Sequence, residues 1–327
     1  MVTLFLCGDV MTGRGIDQIL PHPGDPQIHE DYLKSAQGYV KLAEDFNGPI
    51  PAPVDFAYVW GEALAKLDDM NPDFRIINLE TSVTTSDEFW PLKGINYRMH
   101  PDNIGVIGAA GIHCCVLANN HVLDWGYAGL EETLGTLHNA GLRTAGAGRD
   151  LEQARAPAVF DLGQKGRVII LSMASQTSGV PSEWAATKSR AGVNLVPDFS
   201  QQTIADVAQQ VRSIKRPRDI VLLSIHWGSN WGYEIPAEQR QFAHGLIDDA
   251  GVDVIHGHSS HHPRGVEIYR HRPVLYGCGD LINDYEGIGG YEVFRGDLNL
   301  MYFLTIDAER GELVKLEMLP HQLSNFR

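Results

Sequence analysis

The sequence predicts an α/β fold, and three observations carry that prediction. Short apolar runs with the length and branched-residue content of buried strands recur along the chain. Segments of helical periodicity lie between them, and strand alternating with helix is the mark of this class. Most of the runs are near-continuous rather than alternating, so both faces of the sheet are expected to be covered.

Taken in order, the strand-like runs are residues 2–7, 75–78, 114–118, 168–174, 220–225, 252–255 and 274–276. Helices are expected over residues 57–70, 127–140, 201–214 and 237–250, the first, second and last ending near turn formers. Residues 300–306 and 313–319, around a turn at 307–311, read as a closing hairpin or an added pair of strands, which suggests a mixed sheet. Residues 21–55, rich in Pro, Gly and acidic side chains, and residues 176–198 are each too long for an ordinary connection. They are expected to be insertions, either lids or substrate-specificity loops or decorative surface segments. No repeat, low-complexity tract or linker divides the chain, so one domain over residues 1–327 is expected.

With 327 residues and 43% hydrophobic content the chain can bury a sizeable core without staples. Its 26 basic and 41 acidic side chains leave a formal charge of -15, which repels phosphate backbones and makes nucleic acid an unexpected partner. An anionic substrate would then need local positive charge from a metal or from a few placed cations. Cys7, Cys114, Cys115 and Cys278 show no CxxC spacing and read as buried thiols. The apolar start lacks the features of an export signal, and no stretch reaches membrane-spanning length, so a cytoplasmic protein is expected.

Nearly every strand-like run ends in a short polar signature, which is where open α/β sheets place their ligands. These signatures are Gly8-Asp9-Val10-Met11-Thr12-Gly13-Arg14, Asn78-Leu79-Glu80, Asn119-Asn120-His121, His226-Trp227-Gly228, Gly257-His258-Ser259-Ser260-His261-His262 and Gly279-Asp280. A lone Asp after a strand is ordinarily a helix cap or a turn residue. Together, however, the six termini supply carboxylate oxygen, amide oxygen and imidazole. That mixed set suits zinc, manganese or iron better than calcium or a thiolate-bound structural metal.

The ordered motifs GDxMxGR, NLE, NNHxxDxG, HWG and GHxxH resemble those of the CapA, or poly-gamma-glutamate capsule biosynthesis, proteins of the calcineurin-like metallophosphoesterase superfamily. The resemblance runs from Asp9 to at least Asp280. It implies a four-layer αββα sandwich, two mixed sheets face to face with helices outside, and a centre of one or two divalent metal ions at the strand ends. By motif position Asp9 looks like a ligand of one metal, and Glu80 stands where the superfamily has its bridging Asp. Asn120, His226 and His258 would complete the second site. His121 matches the superfamily's catalytic histidine, which acts as general acid on the leaving group, with Asp124 orienting it.

Two departures stand out. Met11 replaces the metal-binding His of the usual DxH start, and the final GHxH has become Gly257-His258-Ser259-Ser260-His261. His261 can serve the first metal only with a shifted loop, leaving Asp9, Glu80 and His261 one protein ligand short. His262, His22, His29 and His113 are read as structural.

Arg14, Lys93, Arg98 and Arg264 lie in or near the signatures and are the expected clamps for phosphate or carboxylate, Arg14 first because it lies five residues from Asp9. The competing reading for each is a structural salt bridge. The glycine-rich, aromatic stretch at 285–290 and 294–297 either lines the cleft or packs as a surface loop.

The function expected from the resemblance and this donor set is phosphate-ester hydrolysis. A metal-activated hydroxide would attack in line, metal and Arg14 would stabilise the spreading charge, and His121 would protonate the departing alkoxide. One alternative is a metal-dependent hydrolase or transferase acting on a gamma-glutamyl amide. The other is a non-catalytic, metal-dependent binding module for an acidic polymer or a synthase partner.

Overall fold

All of residues 1–327 are described by the structure, a computed structural model. Along the chain the strands of its two large sheets are β1 (Val2–Val10), β2 (Phe74–Leu79), β3 (Cys114–Val116), β4 (Arg143–Ala145), β5 (Ala158–Asp161), β6 (Arg167–Ala174), β7 (Asp219–His226), β8 (Val254–His258), β9 (Val266–Tyr269), β10 (Arg272–Leu275), β11 (Asp280–Ile282), β12 (Leu298–Asp307) and β13 (Glu312–Gln322). The helices are α1 (Gln37–Asn47), α2 (Ala63–Met70), α3 (Gly105–Ala109), α4 (Gly126–Asn139), α5 (Leu151–Arg155), α6 (Gln201–Ile214) and α7 (Ala237–Asp248).

The first sheet runs β13-β12-β1-β2-β3-β4 with β11 also on β1, and the second runs β9-β10-β8-β7-β6-β5. Both are mixed: β1, β2, β3 and β4 are parallel, as are β6, β7, β8 and β10, whereas β12, β13, β9 and β5 join antiparallel.

Alternation along the strands builds the layers. Leu4 and Leu6 of β1 join Ile76, Ile170, Leu222 and Val254 in one cluster drawn from both sheets, so the sheets pack face to face. The intervening Phe5 and Cys7 turn the other way, onto Leu67 of α2, Val106 of α3 and Leu130 of α4. On the far side Ile169, Val221 and Leu223 meet Ile204 and Val207 of α6 and Phe242 and Leu246 of α7. Helix, sheet, sheet, helix is the four-layer sandwich that the motif resemblance implied. Each fully buried Leu or Ile in these layers contributes about 1.5–3 kcal/mol.

Helix α6 shows why the periodic reading succeeded. Ile204, Val207, Ala208 and Val211 recur at helical spacing on the buried face, and the Ser200 side chain caps the first turn by accepting from Thr203 N. Residues 57–70 behave differently from the expected single helix. Tyr58–Trp60 form a 3-10 turn, Gly61 at φ +48° breaks it, and α2 then runs until Asn71 enters the left-handed region at φ +40°.

The insertion at 21–55 contains α1, which lacks a clear sequence signal. The segment at 176–198 is made of short 3-10 turns and a two-residue strand, Gly192–Val193, paired with Ala147–Gly148. The closing hairpin is present as β12 and β13 and extends beyond the expected strands. No helix is long and apolar enough to cross a membrane. All four cysteines are buried and unpaired.

Candidate metal centre

Parallel strands end on a common edge, so β1, β2, β3, β7 and β8 deliver the residues at their ends to one place, and β11 begins there beside the end of β1. Two register pairs set the centre. Asp9 on β1 is the partner of Asp280 on β11, and His226 on β7 is the partner of His258 on β8. Gly8 permits the first pair, because a Cβ there would lie 1.6 Å from the Gly279 carbonyl oxygen, and Gly279 itself sits at φ +78°.

Two groups of ligand-type side chains result, each with its donor atoms within 4.8 Å of one another: Asp9 with His226 and His258, and Asp9 with His261 and Asp280. Asp9 belongs to both. In the first group His226 Nδ1 and His258 Nδ1 face each other at 2.7 Å, and Asp9 Oδ1 lies 3.9 Å from His258 Nδ1. Asn120 Oδ1 accepts from His226 Nε2 at 2.9 Å, and Glu80 Oε1 is 3.9 Å from that nitrogen. In the second group His261 Nδ1 is 3.0 Å from Asp280 Oδ1, and Asn283 donates to the other Asp280 oxygen at 2.9 Å.

The donor set fits a cation. Asp9, Glu80 and Asp280 are buried together, which disfavours their charged forms unless positive charge is present. Burial, followed by the neighbouring Asp280, raises Asp9 to about 7, and burial followed by Asp9 raises Glu80. Burial pushes His226 and His258 below the usual imidazole range, so both offer lone pairs. In His261 burial pulls the pKa down, but the charge and hydrogen bond of Asp280 together with the charge of Asp9 outweigh it and the pKa rises. Asn78 holds the carboxylates in place, donating from one amide nitrogen to Asp9 at 2.7 Å and to Glu80 at 3.1 Å. Asn119 in turn orients Asn78 and accepts from the backbone of His121 and Val122.

His121 stands at the rim of this centre. Its Nδ1 is 2.6 Å from Asp124 Oδ2, and its Nε2 points toward Glu80 Oε1 at 3.8 Å. Asp124 also accepts from Tyr97 N at 2.7 Å, which locks its geometry. Burial lowers His121 to about 4, against the pull of Asp124. Lys93 sits beside the pair, 3.0 Å from Asp124 Oδ1 and 3.2 Å from His121 Nδ1.

The three arginines are held elsewhere. Arg14 is buried, donates to both oxygens of Asp284 and to Glu30, and lies 3.5 Å over the Tyr39 ring and 4.4 Å from the Tyr97 ring. It fastens the 21–55 insertion to the floor of the site and offers no open face to a ligand. Arg98 donates to Asp87 and to the carbonyls of Ser86 and Asp25 and stacks on Trp125. Arg264 donates to the carbonyl and hydroxyl of Ser229, pinning the loop after β7. All three arginines are thus engaged within the fold, and Lys93 is the cation that lies beside the His121–Asp124 pair. His262 accepts from Gly232 N and stacks on Phe294, as a structural residue does.

Asp280 is the ligand-type residue that the sequence reading left out of its ligand set. It stands where the first site was one group short, and its signal was the repetition of Gly8-Asp9 in Gly279-Asp280. Tyr285 had no signal beyond its aromatic loop, yet its hydroxyl comes within 3.4 Å of His261 Nε2.

Two mixed sheets stacked between helices make up the metallophosphoesterase-like fold class, and here carboxylates, amides and imidazoles gather at the strand ends. A solved phosphatase from Mycoplasma pneumoniae shares this fold with a TM-score of 0.52 at 12% identity, over 98% of this chain and 93% of its own. Within that class the chain belongs to the bacterial capsule synthesis protein family, PGA_cap, whose model matches residues 3–285.

It is 54% identical over 328 residues to a probable polyglutamine synthesis accessory protein of Mycobacterium tuberculosis, covering all of this chain and 86% of that protein. The PGA biosynthesis protein CapA of Bacillus subtilis is 27% identical over 213 residues, 65% of this chain and 53% of its own length. The capsule biosynthesis protein CapA of Bacillus anthracis is 23% identical over 288 residues, 86% of this chain and 60% of its own.

Proposed function

We propose that the chain is a metal-dependent phosphoesterase acting on a small anionic substrate. One observation carries the reading: Asp9 is shared by two buried groups of ligand-type side chains, with the His121–Asp124 pair at their rim. Asp9, His226 and His258, with Asn120 and Glu80 beside them, would hold one divalent ion, and Asp9, His261 and Asp280 a second. Bound manganese, zinc or iron would acidify a water and neutralise charge on a phosphoryl oxygen.

The chain's own residues supply the rest. Asp124 accepts the Nδ1 proton of His121 and leaves Nε2 facing the centre, where it can exchange a proton with the substrate's leaving oxygen. Because burial holds His121 neutral at rest, the negative charge of an arriving phosphate is what raises its proton affinity enough to act as an acid. Lys93 offsets the buried charge of Asp124 and keeps the dyad assembled.

The test is protein loaded separately with manganese, zinc or iron and assayed on a panel of phosphate mono- and diesters. Turnover is expected, with Asp9→Asn and His121→Asn each losing about 100-fold or more in kcat/KM. Metal-loaded protein that hydrolyses no ester defeats the reading.

A second reading draws on the names of the relatives, which are tied to polyglutamine and PGA synthesis. In it the same groups act on the carbonyl of a gamma-glutamyl amide, and a gamma-glutamyl anilide in the same assay separates the two. If neither substrate turns over while an acidic polymer binds only with metal present, the non-catalytic binding role replaces both.

A further inference from the structure

Ser224 and His256 have no part in the reading above, yet both are fully buried polar residues in the mostly apolar space between the sheets. Their placement follows from register. On the parallel pair β7–β8, Ser224 is the partner of His256 and His226 is the partner of His258, so four polar side chains share one face. That face looks toward β1, where the Cys7 carbonyl lies 2.6 Å from His256 Nε2.

The proton positions along this line can be deduced one by one. A backbone carbonyl only accepts, so His256 Nε2 carries a hydrogen. His256 is fully buried and its two ring nitrogens meet only a backbone carbonyl and a hydroxyl, with no carboxylate to hold a second proton, so the ring is neutral and its Nδ1 is a bare acceptor. Ser224 Oγ is 3.1 Å from that Nδ1 and must give it the only proton a hydroxyl has. Ser224 Oγ is also 2.8 Å from His258 Nε2, and toward that atom it can only accept. His258 Nε2 therefore carries its ring's hydrogen. Its Nδ1 is left as a lone pair, aimed at His226 Nδ1 2.7 Å away and at the Asp9 side of the centre.

We propose that Ser224 and His256 are positioning residues of the metal centre: a one-way relay from the Cys7 carbonyl through His256 and Ser224 locks His258 in its Nε2–H tautomer and presents Nδ1 to a divalent cation. This rests on the reading of His258 as a ligand. Without the relay the ring is free to place N–H on the ligand side, and a cation must then displace that proton before it can bind. The bland alternative is a buried polar network satisfied for its own sake, which would affect folding but not the tautomer.

The two are separated by long-range proton–nitrogen NMR on metal-free protein labelled with 15N-histidine, together with zinc affinity measured by chelator competition. The parent is expected to show a protonated Nε2 and a bare Nδ1 on His258. Ser224→Ala and His256→Leu are expected to lose the single tautomer and to weaken zinc by about 10- to 100-fold. His256→Gln, whose amide can donate to Cys7 and accept from Ser224, is expected to restore both.

Ser224→Ala with the parent's tautomer and zinc affinity overturns the relay. So does a parent whose His258 carries hydrogen on Nδ1, a result that needs no variant to fold. Should the parent bind no zinc, the metal reading of the site fails, while the tautomer of His258 still decides the relay on its own.

Discussion

Asp280 lies directly beside Asp9 as its register partner on the parallel strands β11 and β1, so two carboxylates enter one buried space from adjacent backbones. The pairing begins where β12 lets go. That strand covers β1 from Val2 to Cys7, and β11 takes over the same edge from Asp9 onward. On that edge Asp9 N donates to Gly279 O at 2.9 Å and Met11 N to Ile282 O at 2.9 Å.

Removing the second carboxylate tests its part in the centre. Asp280→Asn keeps the shape and the bond from Asn283 but withdraws the charge facing His261. It is expected to lower metal content by one equivalent in elemental analysis and to weaken the remaining binding by about tenfold or more. Unchanged stoichiometry and affinity would remove Asp280 from the ligand set.

Gly8→Ala attacks the same contact from the backbone. A Cβ at this position meets the Gly279 carbonyl oxygen at 1.6 Å, and backbone cannot swing aside as a flexible side chain can. A loss of about 3 kcal/mol or more in denaturant unfolding is expected, together with loss of metal. An Ala variant of parental stability would mean that β1 and β11 are not held this close.

Arg14→Met distinguishes a structural cation from a substrate clamp. The substitution leaves Asp284 and Glu30 without their buried partner, and the expected cost is about 3–5 kcal/mol by chemical denaturation. Parental stability with a raised KM for an anionic substrate would restore the clamp.

Lys93→Met separates dyad support from ground-state binding. Since Lys93 is paired with Asp124 next to His121, kcat is expected to fall about tenfold with KM moved less. A rise in KM alone would make it an anion contact instead.

Acid should uncover one distant pair. Burial alone would raise Asp219, but bonds from Arg167 and the Arg216 backbone bring its carboxyl below the ordinary value. A depressed folded pKa gives stability that is present above the unfolded value, about 3.9, and is lost as pH falls through the folded one. Asp219→Asn is therefore expected to cost about 1 kcal/mol near pH 7, with the gap to the parent closing below about pH 4 in pH-dependent unfolding. A gap that is constant with pH would show that the charge contributes nothing.

Much of the architecture was legible because it is local. Residues 2–7 and 220–225 announce strands by composition, and residues 201–214 announce a helix by spacing. The ligand types at Asp9, His226 and His258 were legible because each comes within three residues of the end of an apolar run. Gly279-Asp280 was legible as a signature, but Asp280 was left out of the ligand set because its place beside Asp9 depends on the register of the three-residue β11 with β1. Arg14 read as a clamp because its partner Asp284 lies 270 positions away in the chain, where no local pattern announces it.

The amino-acid sequence by itself determined the α/β class, the chemistry of the donor atoms and their position at the ends of buried runs, since apolar periodicity and turn residues act over a few neighbours. The tertiary structure alone decided that Asp9 is common to two groups of ligand-type side chains, that the arginines are engaged within the fold, and that Ser224 and His256 stand behind His258. Those outcomes depend on strand register and on which buried charges become neighbours. Register and charge pairing are set by packing across the whole molecule.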